Sequence, residues 1–304
     1  MDLAAGATLA DLWRRFGRRA VWYTGQLNPT NCIPRLRVCA VSYLNTVPLV
    51  WGMRHGEQKD LFDLLFRVPA ECADMVASGA ADIGIIPSFE LIGRDYGIVP
   101  GVGIACFGAV RSILLVSRRP ANEIRTLAAD ASSRTSVALA RIILARRYGV
   151  EPAVVKRPPD LASMLGEADS ALIIGDPALD IDPETTPFHV YDLGWEWTEM
   201  TGLPMVFAVW AGPRQFVTPQ LVATFQDSCA FGLRSLERIA AEEAPARGFA
   251  TDLVRRYLGS HIVFELAAPE RQGMELFLRY ARDLDRLGRP PSPPQLGLTP
   301  AGAL

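Results

Sequence analysis

From residue 36 onward the chain alternates short apolar runs with helical patterns, and this order restricts the fold more than any other feature. Leu36–Tyr43 reads as a strand, Pro48–His55 as a helix and Phe62–Val68 as a second strand. Pro69 opens the first turn of a helix over Ala70–Ser78, and a short strand over Ala81–Ile86 closes at Pro87. A βαβαβ order predicts a parallel sheet with right-handed crossovers. Two more strand-like runs follow, at Gly101–Phe107 and Ser112–Ser117.

A second alternation begins near Leu127. Thr126–Asp130, Val154–Lys156, Ala171–Ile174, Phe188–Asp192 and Val206–Trp210 read as strands, with helices over Thr135–Tyr148 and Leu161–Leu165. In the first of these helices Leu139, Ile142 and Ile143 share one face. Beyond Thr218 the pattern is helical over residues 218–243, 248–258 and 270–287. Two tandem α/β units followed by helices predict two lobes with a ligand cleft between them. Corners at Arg118-Arg119-Pro120 and Gly212-Pro213 set the expected boundaries. Lobe 1 then takes residues 36–119 and 213–288, and lobe 2 takes residues 120–212. Residues 1–35 read as a poorly ordered extension, and the Pro/Gly-rich residues 289–304 as a flexible tail.

Charge excludes one class of partner. The 31 basic and 33 acidic residues leave a net charge of -2, Lys is scarce, and Arg forms no basic stripe, so nucleic-acid binding is not expected. No segment has the ~20 apolar residues of a membrane span, so no membrane partner is expected either. Residues 1–35 carry Arg14, Arg15, Arg18 and Arg19 without a continuous apolar core and resemble no export signal, which predicts a cytoplasmic protein. Cys32, Cys39, Cys72, Cys106 and Cys229 show no CxxC pair, and Cys39, Cys72 and Cys106 lie in apolar or helical context. They read as buried reduced thiols.

Candidate chemistry gathers at predicted strand ends, where α/β ligand sites collect. Ser42-Tyr43-Leu44-Asn45-Thr46 follows the first strand and runs into a helix. It offers hydroxyl, amide and backbone N–H groups to a small anion, although Asn45 also suits a turn or cap. Ser88 follows the third strand and fits a helix cap as well as a ligand. Asp130-Ala131-Ser132-Ser133-Arg134-Thr135-Ser136 heads the long helix. Ser133, Thr135 and Ser136 exceed what capping needs, and Arg134 suits a carboxylate, so this stretch reads as an anion pocket. Gly175-Asp176-Pro177 leaves a buried strand, where Asp176 is a turn residue, a substrate acceptor or a hinge element. Arg111 and Ser112 precede another apolar strand, and Arg111 fits an edge charge equally well.

No GxGxxG, GxxxxGK[ST] or GxSxG sequence is present, and His55, His189 and His261 have no metal-ligand spacing. Trp195, Trp197 and Trp210 read as core or cleft wall. Neither a cofactor nor a metal is expected, and an enzyme built this way works without an obvious His, Lys or Cys in its cleft.

As a set, these segments resemble the chorismate dehydratase family of the futalosine route to menaquinone. The resemblance is carried by Val41-Ser42-Tyr43-Leu44-Asn45-Thr46-Val47-Pro48-Leu49, Asp82-Ile83-Gly84-Ile85-Ile86-Pro87-Ser88-Phe89-Glu90 and Val110-Arg111-Ser112-Ile113-Leu114-Leu115-Val116-Ser117. Ser133-Arg134-Thr135-Ser136-Val137-Ala138-Leu139, Ile174-Gly175-Asp176-Pro177-Ala178-Leu179, and Asp192-Leu193-Gly194 through Phe207-Ala208-Val209-Trp210 complete it, over roughly residues 36–285. The resemblance implies a type II periplasmic-binding-protein fold serving as a cytoplasmic carbon–oxygen lyase. That lyase converts chorismate to 3-[(1-carboxyvinyl)oxy]benzoate. The chain itself is expected as a monomer or homodimer, with the small substrate as its partner. It places Asn45 and Asp176 as catalytic residues. Ser42, Ser88, Arg111, Ser112, Ser133, Arg134, Thr135, Ser136 and Gly175 are then substrate-binding. Within it Asp176 is the only carboxylate able to act as a base, and the substrate's own enolpyruvyl carboxylate is the preferred proton acceptor.

Two other readings compete. A non-catalytic cytoplasmic sensor of a small carboxylate would have the same fold. The pathway's sister cyclase would carry Cys-Pro-Asn-Asp-Thr at the first junction, where this chain has Ser-Tyr-Leu-Asn-Thr.

Overall fold

A computed structural model of the protein describes residues 35–130 and 132–287. The expected extension (apart from Arg35) and tail lie outside the described residues. Eleven strands form two sheets among these residues. In chain order they are β1 (Leu36–Val41), β2 (Phe62–Arg67), β3 (Ile83–Pro87), β4 (Tyr96–Cys106), β5 (Ile113–Ser117), β6 (Thr126–Asp130), β7 (Ala153–Arg157), β8 (Ser170–Ile174), β9 (His189–Asp192), β10 (Met205–Pro213) and β11 (Val263–Glu265). The first sheet has the order β11-β4-β10-β3-β1-β2 and the second β7-β6-β8-β5-β9.

The βαβαβ reading holds: β1 pairs in parallel with both β2 and β3. In the second sheet β6 pairs in parallel with β7 and β8. Antiparallel strands complete each sheet, β10 between β3 and β4, and β5 between β8 and β9. β3, β5 and β8 are buried along their whole length, which explains why they read as continuous apolar runs rather than alternating ones.

Strand pairing moves both expected boundaries. Ile113–Ser117 belongs to the second sheet, so the chain leaves the first lobe at residues 107–112 and not at Arg118-Arg119-Pro120. It returns through the helix Leu193–Thr201 before β10, not at Gly212-Pro213. The corners misled because Pro and Arg mark a strand end without saying which sheet the strand joins. That choice belongs to pairing partners far along the chain.

One carboxylate ties the two crossovers together. Asp192 accepts the backbone N–H groups of Val110 (2.9 Å) and Arg111 (2.6 Å) from the outgoing crossover. It also caps the returning helix through Gly194 (2.9 Å) and Trp195 (3.2 Å). Arg111 takes a positive φ of 67°, a conformation costly for a residue with a Cβ, and its bond to Asp192 helps to fix it.

The C-terminal helices pack back as expected, with detail the pattern hid. Ser235 separates Pro219–Arg234 from Leu236–Arg247, and Thr251–Arg256 continues into a π-helical turn, Tyr257–His261. The last helix, Ala268–Leu287, packs on β10 and on the helix Arg134–Tyr148, and so spans both lobes. Trp197 and Trp210 are fully buried, as the core reading has it, whereas Trp195 is half exposed. Cys39, Cys72, Cys106 and Cys229 are buried free thiols, with burial pushing Cys106 up and Cys229 to about 12.

Candidate active site

The expected site segments converge on the seam where the two lobes meet. From the first lobe come Ser42–Thr46 after β1 and the turn Ser88–Leu91 after β3. From the second come Arg111-Ser112 before β5, Ser132–Ser136 after β6, and Gly175-Asp176 after β8. β5 runs antiparallel to β8, which brings its first residues to the end of the sheet where β8 finishes.

Asp176 is the centre of one cluster. Its Oδ1 accepts the backbone N–H of Leu44 at 2.9 Å, and its Oδ2 pairs with the guanidinium of Arg247. Arg247 also donates to the Ser42 carbonyl (3.1 Å) and is braced by Glu243 (3.0 Å). Burial pushes the Asp176 carboxyl above the ordinary carboxylate range, and the Leu44 N–H and Arg247 offset only part of that shift. Next to it the Tyr43 ring lies on Gly175, whose φ is +66°. A Cβ on Gly175 would sit 2.6 Å from that ring, so the lobes pack this closely only over glycine. Gly175 uses its own N–H on the Ser112 carbonyl at 2.8 Å.

A second cluster joins Asn45, Ser112 and Tyr257. The Tyr257 hydroxyl donates to Ser112 Oγ at 2.8 Å, and Asn45 lies beside it. Asn45 Oδ1 is buried with no hydrogen-bond partner among the described residues. Arg111 reaches the Ile181 carbonyl with Nη2 (2.8 Å), while its Nη1 is buried and likewise without a partner. A buried acceptor and a buried cationic donor left open near the seam are groups that a polar ligand would satisfy.

The head of the helix Arg134–Tyr148 is arranged otherwise than as an open anion pocket. Ser133 is the N-cap: its Oγ accepts the Ser136 N–H (3.2 Å) and donates to Ser136 Oγ (2.8 Å). Thr135 Oγ1 accepts the Phe89 N–H at 3.1 Å and lies 3.5 Å from Ser88 Oγ, which itself donates to the Val206 carbonyl at 2.7 Å. Arg134 is held by Glu90 (2.8 Å) and Asp74 (2.7 Å). Ser133 and Ser136 therefore cap the helix, while Arg134, Thr135 and Ser88 fasten one lobe to the other. Ser42 is exposed and joins the seam through its backbone.

Spacing did not single out Arg247 or Tyr257. Both lie in the C-terminal helical region, where an Arg near a helix end and a Tyr on an apolar face look like ordinary solvation and core. Only the fold brings them to the strand ends of the other elements.

With this geometry in view, comparisons with known proteins become decisive. A family described as "Menaquinone biosynthesis" matches residues 36–283. The chain belongs to that family. A relative from Thermus thermophilus named chorismate dehydratase is 32% identical over 253 residues, covering 77% of this chain and 91% of the relative. The menaquinone-biosynthesis chain also shares its fold with solved structures of much lower identity. A protein of Archaeoglobus fulgidus superposes with a TM-score of 0.64 at 15% identity, covering 82% of this chain and 97% of that one. The periplasmic aliphatic sulphonate binding protein of Escherichia coli gives 0.55 at 16%, covering 84% and 89%. The two-lobed α/β fold is that of periplasmic binding proteins, as the sequence segments implied.

Proposed function

We propose that this family member dehydrates chorismate to 3-[(1-carboxyvinyl)oxy]benzoate, acting as a carbon–oxygen lyase on the route to menaquinone. The observation that carries the reading is the 32% identity to a chorismate dehydratase across nearly the whole of that relative. The cleft supports it: Arg111 Nη1 offers an unmatched positive donor for a carboxylate, and Asn45 Oδ1 an unmatched acceptor.

In the reaction the C–H bond of the ring carbon bearing the enol ether breaks, and its electron pair forms a ring double bond. The neighbouring C–O bond breaks, and hydroxide takes up a proton to leave as water. Aromatisation drives the step, so the protein's task is to orient a dianion and stabilise developing charge. Asn45 orients the reacting centre, Arg111 anchors a carboxylate, and Ser112 lines the site between them. Both oxygens of Asp176 are already engaged, by Leu44 and by Arg247, which supports the substrate's enolpyruvyl carboxylate as the proton acceptor. The reading places the reaction in the cytoplasm, with chorismate as the partner and the protein a monomer or homodimer.

The test is to incubate purified protein with chorismate and follow absorbance and mass. The expected product is aromatic and lighter by one water, and Asn45→Ala should slow its formation by about 100-fold, the scale for losing a transition-state donor or acceptor. Chorismate bound but unchanged would instead make the protein a receptor, and no interaction would overturn the substrate assignment.

A further inference from the structure

Cys39 on β1 and Cys72 on the helix Pro69–Ser78 meet with their sulfurs 3.0 Å apart. That is about 1 Å longer than a disulfide bond. Cys72 Sγ also donates to the Ala40 carbonyl (3.4 Å), and Met75 Sδ lies 3.7 Å from Cys39 Sγ. Both cysteines are fully buried, yet the helix is a surface element on which Glu71, Asp74, Ala77 and Ser78 are exposed. Cys106, by contrast, donates to the Gly108 carbonyl at 3.3 Å. Two thiols and a thioether together also suit a soft metal ion. Two sulfurs bound to one ion at about 2.3 Å, however, would stand about 3.8 Å apart in tetrahedral geometry. The thiols are closer than that, and their spacing fits a bond between them.

We propose that Cys39 and Cys72 are a modification site, a dithiol that hydrogen peroxide converts to a disulfide in the core of the first lobe. The inference goes beyond the proposed function and does not rest on it. A hydrogen bond from the Cys72 S–H to a Cys39 thiolate holds Cys39 below the ordinary thiol range, so Cys39 is the nucleophile. Its sulfur attacks one oxygen of the peroxide, the O–O bond breaks, and a sulfenic acid forms as hydroxide leaves. That hydroxide takes up the proton Cys39 gave away and becomes water. The Cys72 sulfur then attacks the Cys39 sulfur, the S–O bond breaks, and the Cys72 proton leaves with the hydroxyl as a second water. Two thiols lose two electrons and two protons, and one peroxide becomes two waters. Peroxide is small and neutral, so brief openings of the helix admit it to a buried thiol. The bond would close residues 39–72 into a loop that carries the turn Leu44–Thr46. It would fasten β1 to a helix that already grips the second lobe, through Ala70 N–H on the Ser132 carbonyl (2.9 Å) and Asp74 with Arg134 (2.7 Å).

Peptide mapping and thermal unfolding of the purified protein after treatment with hydrogen peroxide test this. The expected result is a peptide linking Cys39 to Cys72, lighter by two hydrogens than its two halves. The Tm should rise by about 5–10 °C, the scale for closing a loop of this length in a chain of this size, and dithiothreitol should reverse the rise. Cys72→Ala removes the second thiol, and the treated variant should show neither the linked peptide nor the rise. The same treatment in urea below the unfolding midpoint opens the helix more often, so burial does not limit the reaction. Cys39 and Cys72 both still reduced in buffer and in urea overturn the proposal. Either of them joined to a different cysteine overturns it as well.

Discussion

Asp176 illustrates how a residue can look catalytic in sequence and act as a fastener in three dimensions. A carboxylate that must take a proton needs a lone pair facing the substrate, yet both Asp176 oxygens are turned to the protein. Asp176→Asn should therefore hold kcat within about tenfold of wild type in steady-state assays, whereas removal of a general base would cost about 10²–10⁴. Tyr257 allows a prediction of stability against pH. Its pKa is raised on folding, so below ~10 the group is neutral in both states and its stabilising contribution is fully present. Above ~10 the unfolded chain ionises the phenol while the folded protein cannot, and stability falls as pH rises. Urea unfolding from pH 9 upward should show this decline, and Tyr257→Phe should make it shallower by about one proton's worth.

At the scale of elements, the helix Arg134–Tyr148 separates capping from ligand binding. Ser133 is occupied by Ser136 through both backbone and side chain, which is the geometry of an N-cap. Ser133→Ala should then cost about 1 kcal/mol of stability in chemical denaturation, with chorismate affinity unchanged in calorimetry. A loss of affinity without a loss of stability would restore the anion-pocket reading. The strand-to-helix junction after β1 behaves differently. No side chain caps the turn Leu44–Thr46, and Asn45 Oδ1 is left open. The same residue types thus serve two purposes, and what distinguishes them is whether a neighbouring element has already satisfied them.

At the scale of the molecule, two crossovers and one carboxylate set how the lobes meet. Asp192 holds four backbone N–H groups, three of them partly buried, and its removal would leave them without that acceptor. Asp192→Ala should cost about 3 kcal/mol or more and lower the Tm markedly, readable by calorimetry. Across the seam the lobes touch through Tyr43 on Gly175, Asp176 with Arg247, and Phe89 on Thr135.

The strand–helix order from residue 36, the parallel pairing of β1–β3 and the polar strand ends at Asn45, Arg111, Ser112 and Asp176 were all legible in the sequence. Each follows from local rules: apolar runs bury, Pro and Gly punctuate, and strand ends in α/β folds face the ligand. Residue spacing left three matters undecided. The sheet that β5 and β10 join is set by partners far along the chain, which moved the lobe boundaries away from the Pro-marked corners. Which hydroxyls remain open to a ligand depends on neighbours from the opposite lobe, as Thr135 shows against Phe89. Arg247 and Tyr257 entered the site only through the packing of the C-terminal helices. Local sequence determines what a segment can become, because propensity acts over a few residues. Only tertiary structure decides which polar atoms are satisfied, because a buried group's partner is chosen by the fold.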